Sequence, residues 1–277
     1  MSASIAFTTR GAGFSLVGRD KSAPEDRWAL AELDGFVIGA VADGISDPLG
    51  AGKVSGRWTQ SGSGAVADEA VGAFVERASR LVEAGASDVA AIVREAFAAA
   101  ELAARTLAGS LRAGGVGSGA AFVGACLDAR GELAVIKVGD CRALVPAGQA
   151  WRPVTPSDDA DRAGALTAFL GVAEVPAEVV VHRAVERAVL LSDGGWRAGL
   201  PAPDGLAVEP FALVRDLVAR ARRAGETDDL TALVLMRVER DVPAGRFDRL
   251  APLTFALAGA LFFAAGLVAA TLIGGGP

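Results

Sequence analysis

The chain has 277 residues, 52% of them hydrophobic and 22% charged, an apolar fraction too high for a disordered protein and sufficient for a sizeable core. Its 27 Lys and Arg against 33 Asp and Glu leave a net charge of −6, which excludes a broad basic surface for a nucleic-acid backbone. Two cysteines, Cys126 and Cys141, lie in apolar runs and exclude a disulfide framework or cysteine-rich zinc site, while the single histidine, His182, leaves any Cys–His or serine-triad mechanism dependent on one residue.

From the N-terminus, β-favouring runs are predicted at Ala12–Val17, Trp28–Leu33 and Phe36–Ala42. Helical spacing follows over Ala65–Glu83 and Asp88–Leu107, with Ser87 or Asp88 able to cap the second helix and Gly85 and Gly109 placed as stops. Strands return at Ala120–Leu127, Leu133–Val138, Ala143–Val145, Glu178–His182 and Ala188–Leu191, and a last helix, Pro210–Ala224, precedes a strand at Thr231–Val238. Strands and helices that come in blocks, with no internal repeat, point to an α+β layered domain over residues 1–240 rather than a doubly wound parallel sheet. His182 alternates as a strand residue in VVVHRAV and is read as structural.

The tail differs. No ionisable side chain follows Arg249, and Leu253–Ile273 is a run of 21 residues that as a helix spans about 31 Å, close to a hydrocarbon core of about 30 Å. A transmembrane helix is expected over 251–273, after a basic juxtamembrane linker at 241–250 and before a short tail at 274–277. Arg237, Arg240, Arg246 and Arg249 precede it, so the positive-inside tendency leaves the large N-terminal part cytoplasmic, and the chain start carries no apolar signal segment.

The aspartates carry the chemistry. Asp43 ends VIGAVAD, Asp193 ends AVLLSD, Asp140 follows AVIKVG, and Asp228 with Asp229 precedes LTALVLMRV. Carboxylates gathered at strand ends repel one another unless cations sit between them, and oxygen-only donors select Mg²⁺ or Mn²⁺ over zinc. Other motifs fail: GAGKVS at 50–55 lacks the P-loop spacing and its Ser or Thr, Gly115, Gly117 and Ala120 precede a strand rather than a helix, and no nucleophile elbow is present.

The stretches PEDRW (24–28), VADGISDPLGAGKVSG (41–56), GSGAAF (117–122), VIKVGDCRALV (135–145), LTAFLG (166–171), VLLSDGGW (189–196) and TDDLTALVLMRV (227–238) resemble, in order, those of the PPM family, the phosphatase 2C type of metal-dependent serine/threonine phosphatases. The resemblance spans nearly all of residues 11–240. It implies a four-layer α-β-β-α sandwich, two packed antiparallel sheets flanked by helix pairs, with two Mg²⁺ or Mn²⁺ ions at one edge. By the same resemblance Asp43 corresponds to the carboxylate bridging both metals, Gly44 to a glycine whose carbonyl is a ligand, and Asp193 and Asp228 to the remaining metal-bound aspartates. Glu25 and Asp26 resemble an acidic pair that contacts the metals through water. Arg19, with Lys21 as competitor, matches the residue gripping the substrate phosphate, a task for which only Arg offers a planar fork.

The implied reaction is hydrolysis of phosphoserine or phosphothreonine in a protein by a water bridging two metals, without a protein nucleophile. Ile45 stands where some members have a histidine general acid. Asp140 matches a residue associated with a third metal, but Arg197 stands at the usual second aspartate and its charge is expected to repel that ion. Asp229 replaces a frequent Asn and is expected either to tighten metal binding or to be solvated. The flap common in bacterial members is almost absent after VTPSDDA, so flap-based substrate selection is not expected. Two functions remain: a membrane-tethered phosphatase opposing a membrane-associated Ser/Thr kinase, or a catalytically weak or inactive module of the same fold that binds a phosphoprotein or kinase partner at the membrane.

Overall fold

The structure, a computed structural model, describes residues 6–18, 24–46, 62–155, 168–172, 174–200, 203, 210–224 and 228–240. In chain order the elements are β1 (Ala6–Leu16), β2 (Arg27–Leu33), β3 (Phe36–Ser46), α1 (Ser63–Glu83), α2 (Val89–Ala113), β4 (Ser118–Asp128), β5 (Leu133–Val138), β6 (Arg142–Ala147), β7 (Ala150–Pro153), β8 (Val180–His182), β9 (Arg187–Leu191), α3 (Asp193–Arg197), α4 (Pro210–Ala224) and β10 (Leu230–Arg240). All but the first residue of β1 fall within the unit Phe7–Arg240.

The strands form two five-stranded sheets, ordered β1-β10-β9-β6-β7 and β2-β3-β4-β5-β8. Period-2 alternation sorts the side chains into layers. On β3 and β4, Val37, Val41, Ala121, Val123, Ala125 and Leu127 join Leu190 of β9 and Leu233 and Leu235 of β10 in the core between the sheets. The intervening residues Ile38, Ala40, Ala42, Ala120, Phe122 and Cys126 pack instead under α1 and α2. β4 is consequently buried at every position, which is why it reads as a continuous apolar run.

On the far side, Val189 and Leu191 of β9 with Ala232, Val234 and Met236 of β10 pack against Leu213, Val214 and Leu217 of α4. The layers therefore run α-β-β-α as expected. The second outer layer differs from a helix pair: among the described residues it holds α4 and the five-residue α3.

The first outer layer is built on small residues. Ala96, Ala100, Ala104 and Ala108 recur every four residues along the buried stripe of α2, and Phe74 and Phe97 close on Phe122 with centroid separations of 5.5 and 6.0 Å. Asp88 caps α2 as expected, accepting the Ala90 and Ala91 N–H groups through Oδ1. Gly109 does not stop the helix, which continues to Ala113. Burying Ala108 and packing Leu111 against the core outweigh the cost of about 1 kcal/mol for an internal glycine.

Two further elements depart from expectation. β3 continues through Asp43 and Gly44 to Ser46 because β4 supplies partners that far, with Asp43 opposite Ala121 and Ser46 opposite Ser118. β7 is an additional edge strand, paired only with β6. The expected membrane helix at 251–273 and its 241–250 linker lie outside the described residues, among which no helix is long and apolar enough to cross a membrane.

Candidate functional site

Register brings the acidic residues to one end of the sandwich. Arg27 at the start of β2 faces Ala42 near the end of β3, Leu191 at the end of β9 faces both Ala232 and Arg142, and β5 ends at Val138, two residues before Asp140. Glu25 and Asp26, Asp43, Asp140, Asp193, and Asp228 and Asp229 thus flank the same end of the inter-sheet core. His182 faces Leu133 at the opposite end of β5, where its Nε2 donates to the Val154 carbonyl at 3.1 Å.

The carboxylates act on one another. Asp43 shares the inter-sheet face of β3 with Val37 and Val41, and its carboxyl is held well above the usual carboxylate range, first by burial and then by the charges of Asp26, Asp193 and Asp140. Burial pushes Asp26 up to about 6, with the charge of Asp229 adding to it and polar contacts from Ser192, Asp43 and Thr231 opposing it. Asp193 also rises to about 6 through burial, with Asp228 and Asp140 adding to the effect and Arg197 opposing it. The neighbouring Cys141 thiol is raised by burial and by the same carboxylates, which disfavours a thiolate nucleophile.

Backbone packing fixes two of these positions. A Cβ on Gly44 would stand 2.7 Å from the Ser63 carbonyl carbon and 2.9 Å from the Glu25 carbonyl oxygen, so only glycine lets β3 pass the start of α1 there. A Cβ on Gly194 would collide with the Asp229 carbonyl oxygen, which keeps the turn after Asp193 against the start of β10. Glu25 is oriented by Ser63, whose Oγ donates to Glu25 Oε1 at 2.6 Å. Beside the cluster, Trp196 donates its indole N–H to the Asp140 carbonyl at 3.2 Å and lies under the Arg142 guanidinium at 3.5 Å.

Asp229 is not the solvated residue that one of its two expected roles describes. It is 1% exposed, and its two oxygens accept the backbone N–H groups of Gly18 and Glu25, each at 2.7 Å. It ties the end of β1 and the start of β2 to the start of β10. Arg19 and Lys21, expected to hold phosphate, lie outside the described residues of the segment bounded by those two anchors, as does most of the stretch after VTPSDDA where a flap is expected to be almost absent.

The Arg197 cation is directed at two of the candidate carboxylates. Its Nη2 lies 2.7 Å from Asp193 Oδ2 and its Nη1 3.7 Å from Asp228 Oδ2. Asp228 additionally accepts the Asp229 N–H at 2.9 Å. The sequence signal for the first pair was an i,i+4 spacing; the second needed the fold.

The donor chemistry suits a hard divalent cation. Both oxygens of Asp26 and Oδ1 of Asp193 are buried and meet no hydrogen-bond partner among the described residues, and every candidate donor is a carboxylate or carbonyl oxygen. Anionic, unsatisfied oxygen acceptors of this kind fit Mg²⁺ or Mn²⁺ in type. Among the described residues no three His, Cys, Asp or Glu side chains stand in a ready-made ligating group, and the Asp193–Asp228 pair is held by Arg197.

No family model matches the chain, and no curated protein matches it. Solved structures do. The serine/threonine phosphatase PstP/Ppp of Mycobacterium tuberculosis is 19% identical, over 82% of this chain and 98% of that one, with a TM-score of 0.59. The PstP catalytic domain in complex with two manganese ions is 20% identical over 84% and 99%, with a TM-score of 0.59. PppA, a regulatory component of T6SS in Pseudomonas aeruginosa, is 21% identical over 85% and 100%, with a TM-score of 0.60. These likenesses establish the fold, a sandwich of the kind seen in serine/threonine phosphatases.

Proposed function

We propose that the chain is a PPM-type protein serine/threonine phosphatase that depends on two divalent metal ions, Mg²⁺ or Mn²⁺, and hydrolyses phosphoserine or phosphothreonine in protein substrates. The observation that carries this reading is the set of buried carboxylates at one end of the sandwich, with unsatisfied oxygens on Asp26 and Asp193 and a raised pKa on Asp43. The phosphatase structures that share the fold support it, one of them holding two manganese ions.

Asp43, Asp193, Asp228 and the Gly44 carbonyl would hold the ions, with Glu25 and Asp26 behind them. When bound, such ions lower the pKa of water and neutralise phosphoryl oxygens. The protein's part is positional: Ser63 orients Glu25, close packing at Gly44 and Gly194 sets two strand ends, and Asp229 anchors both ends of the segment carrying Arg19 and Lys21. Of that pair, Arg19 is the better phosphate clamp, for its bidentate geometry.

The segment 251–273 would tether this domain to a membrane from the cytoplasmic side, where its phosphoprotein substrate and an opposing Ser/Thr kinase would meet it. A second reading, a weakly active or inactive module that binds a phosphoprotein or kinase, is favoured by Arg197 on the Asp193–Asp228 pair.

Turnover of an aryl phosphate and a phosphothreonine peptide by the full chain separates the two. Hydrolysis dependent on Mn²⁺ or Mg²⁺, lost with EDTA and in Asp193→Asn, supports the enzyme. A folded chain that binds phosphopeptide without turning it over supports the binding module.

A further inference from the structure

The two oxygens of Asp193 have different fates. Oδ2 is held by Arg197 Nη2 at 2.7 Å, one helical turn away on α3, whereas Oδ1 is buried with no hydrogen-bond partner among the described residues. Through Nη1 the same guanidinium reaches Asp228 Oδ2 at 3.7 Å, on the approach to β10. A single side chain thereby spans two carboxylates from different elements.

We propose that Arg197 is a built-in counter-ion for the Asp193–Asp228 pair, and that a divalent ion takes these two carboxylates only by displacing its guanidinium. The inference rests on the metal-centre reading above and adds to it a competitor carried by the chain itself.

Charge supplies the direction. One guanidinium across two carboxylates leaves a net charge of about −1, while a divalent ion leaves none, so a sufficient metal concentration wins. Displacement is sterically open, because the Arg197 side chain is 48% exposed and can move toward water, whereas the Asp193 side chain is only 10% exposed and stays in place. Asp26, fully buried, has no cation set against it among the described residues, its polar neighbours Ser192 and Thr231 being uncharged. The two sides of the cluster therefore load unequally, the Arg197 side needing more metal.

The test titrates Mn²⁺ into the metal-free full-length protein, reading free Mn²⁺ by its electron paramagnetic resonance signal. Wild type is compared with Arg197→Gln, which keeps a polar, hydrogen-bonding side chain without the charge, and with Arg197→Ala. The weaker Mn²⁺ site is expected to tighten roughly five- to tenfold in both variants. Their metal-free thermal midpoints are expected to fall and to recover with Mn²⁺, which a purely structural role for Arg197 would not produce. Should Arg197→Ala fail to fold, Arg197→Gln carries the comparison. Equal Mn²⁺ affinities in wild type and variants would overturn the displacement proposal and leave the metal centre standing. No Mn²⁺ binding by any of the proteins, each still unfolding cooperatively, would overturn both.

Discussion

The Asp229 carboxylate accepts the backbone N–H of Glu25 at 2.7 Å across 204 residues of sequence, and that of Gly18 at the same distance with its other oxygen. Two charge-assisted bonds in a buried setting are among the stronger single contributions a side chain makes. Asp229→Ala is expected to cost about 3–4 kcal/mol and lower the thermal midpoint by roughly 10 °C. Asp229→Asn, which keeps one acceptor, should fall between it and wild type. A midpoint unchanged in Asp229→Ala would remove the clamp from the account.

Gly194 is tested separately, because its constraint is steric rather than electrostatic. A methyl group there runs into the Asp229 carbonyl oxygen, and backbone on both sides has little room to yield. Gly194→Ala should destabilise the fold by about 2 kcal/mol or more and weaken metal binding along with it. Differential scanning calorimetry with and without Mn²⁺ measures both effects.

Why some of this was legible in the sequence and some was not follows from the range of each interaction. β5 and α4 coincide with their expected spans because Leu133–Val138 is apolar at every position but Lys137 and Pro210 supplies a helix start. β7 escaped notice because AWRP is short, exposed at most positions and contains arginine and proline, as an edge strand can. α3 is a single turn after Ser192, below the length at which periodicity speaks. The aspartates at strand ends were visible as a pattern, yet the pattern could not distinguish Asp228 from Asp229. The buried bonding of Asp229 depends on Gly18 and Glu25, brought there only by sheet pairing. The contact of Arg197 with Asp228, unlike its i,i+4 pair with Asp193, depends on the fold bringing α3 beside the approach to β10.

Asp43 should show stability and activity moving in opposite directions. Its carboxyl is buried among Asp26, Asp193 and Asp140, so the charged form is unfavourable in the metal-free protein. Asn keeps the shape and removes the charge. Asp43→Asn is expected to raise the metal-free thermal midpoint by about 2–5 °C while reducing phosphatase turnover at least a hundredfold. A lower midpoint, or retained turnover, would count against its place in the centre.

The uncharged tail makes a prediction independent of the catalytic site. A segment of 21 residues without a charge, following Arg246 and Arg249, should keep the full chain with lipid vesicles through carbonate washing. Replacing Phe262 and Phe263 near its centre with arginines should release it, since each centrally placed arginine costs about 2.5–3.5 kcal/mol on insertion. Release of the unaltered chain by carbonate would reject the tether.

The same crowded carboxylates fix the sign of the pH dependence. Asp26 and Asp193 titrate near 6 in the folded chain against 3.8 for an unperturbed aspartate, and Asp43 is shifted in the same direction. Between about pH 4 and 6 the native state therefore binds more protons than the unfolded one, and stability falls as pH rises. The contribution is fully present below about pH 4 and is lost above about pH 6, the reverse of ordinary salt-bridged carboxylates. The metal-free thermal midpoint should decline by roughly 3–8 °C across that window, after allowance for the other titrating groups by comparison with Asp26→Asn, in which the slope should flatten. Saturating Mn²⁺ should reverse the trend, because an ion that binds only the ionised carboxylates stabilises the native state more as pH increases. Thermal scans at half-unit pH steps, with and without Mn²⁺, distinguish these slopes, and a metal-free midpoint that rose from pH 4 to 6 in wild type and Asp26→Asn alike would show that the carboxylates are not mutually destabilising.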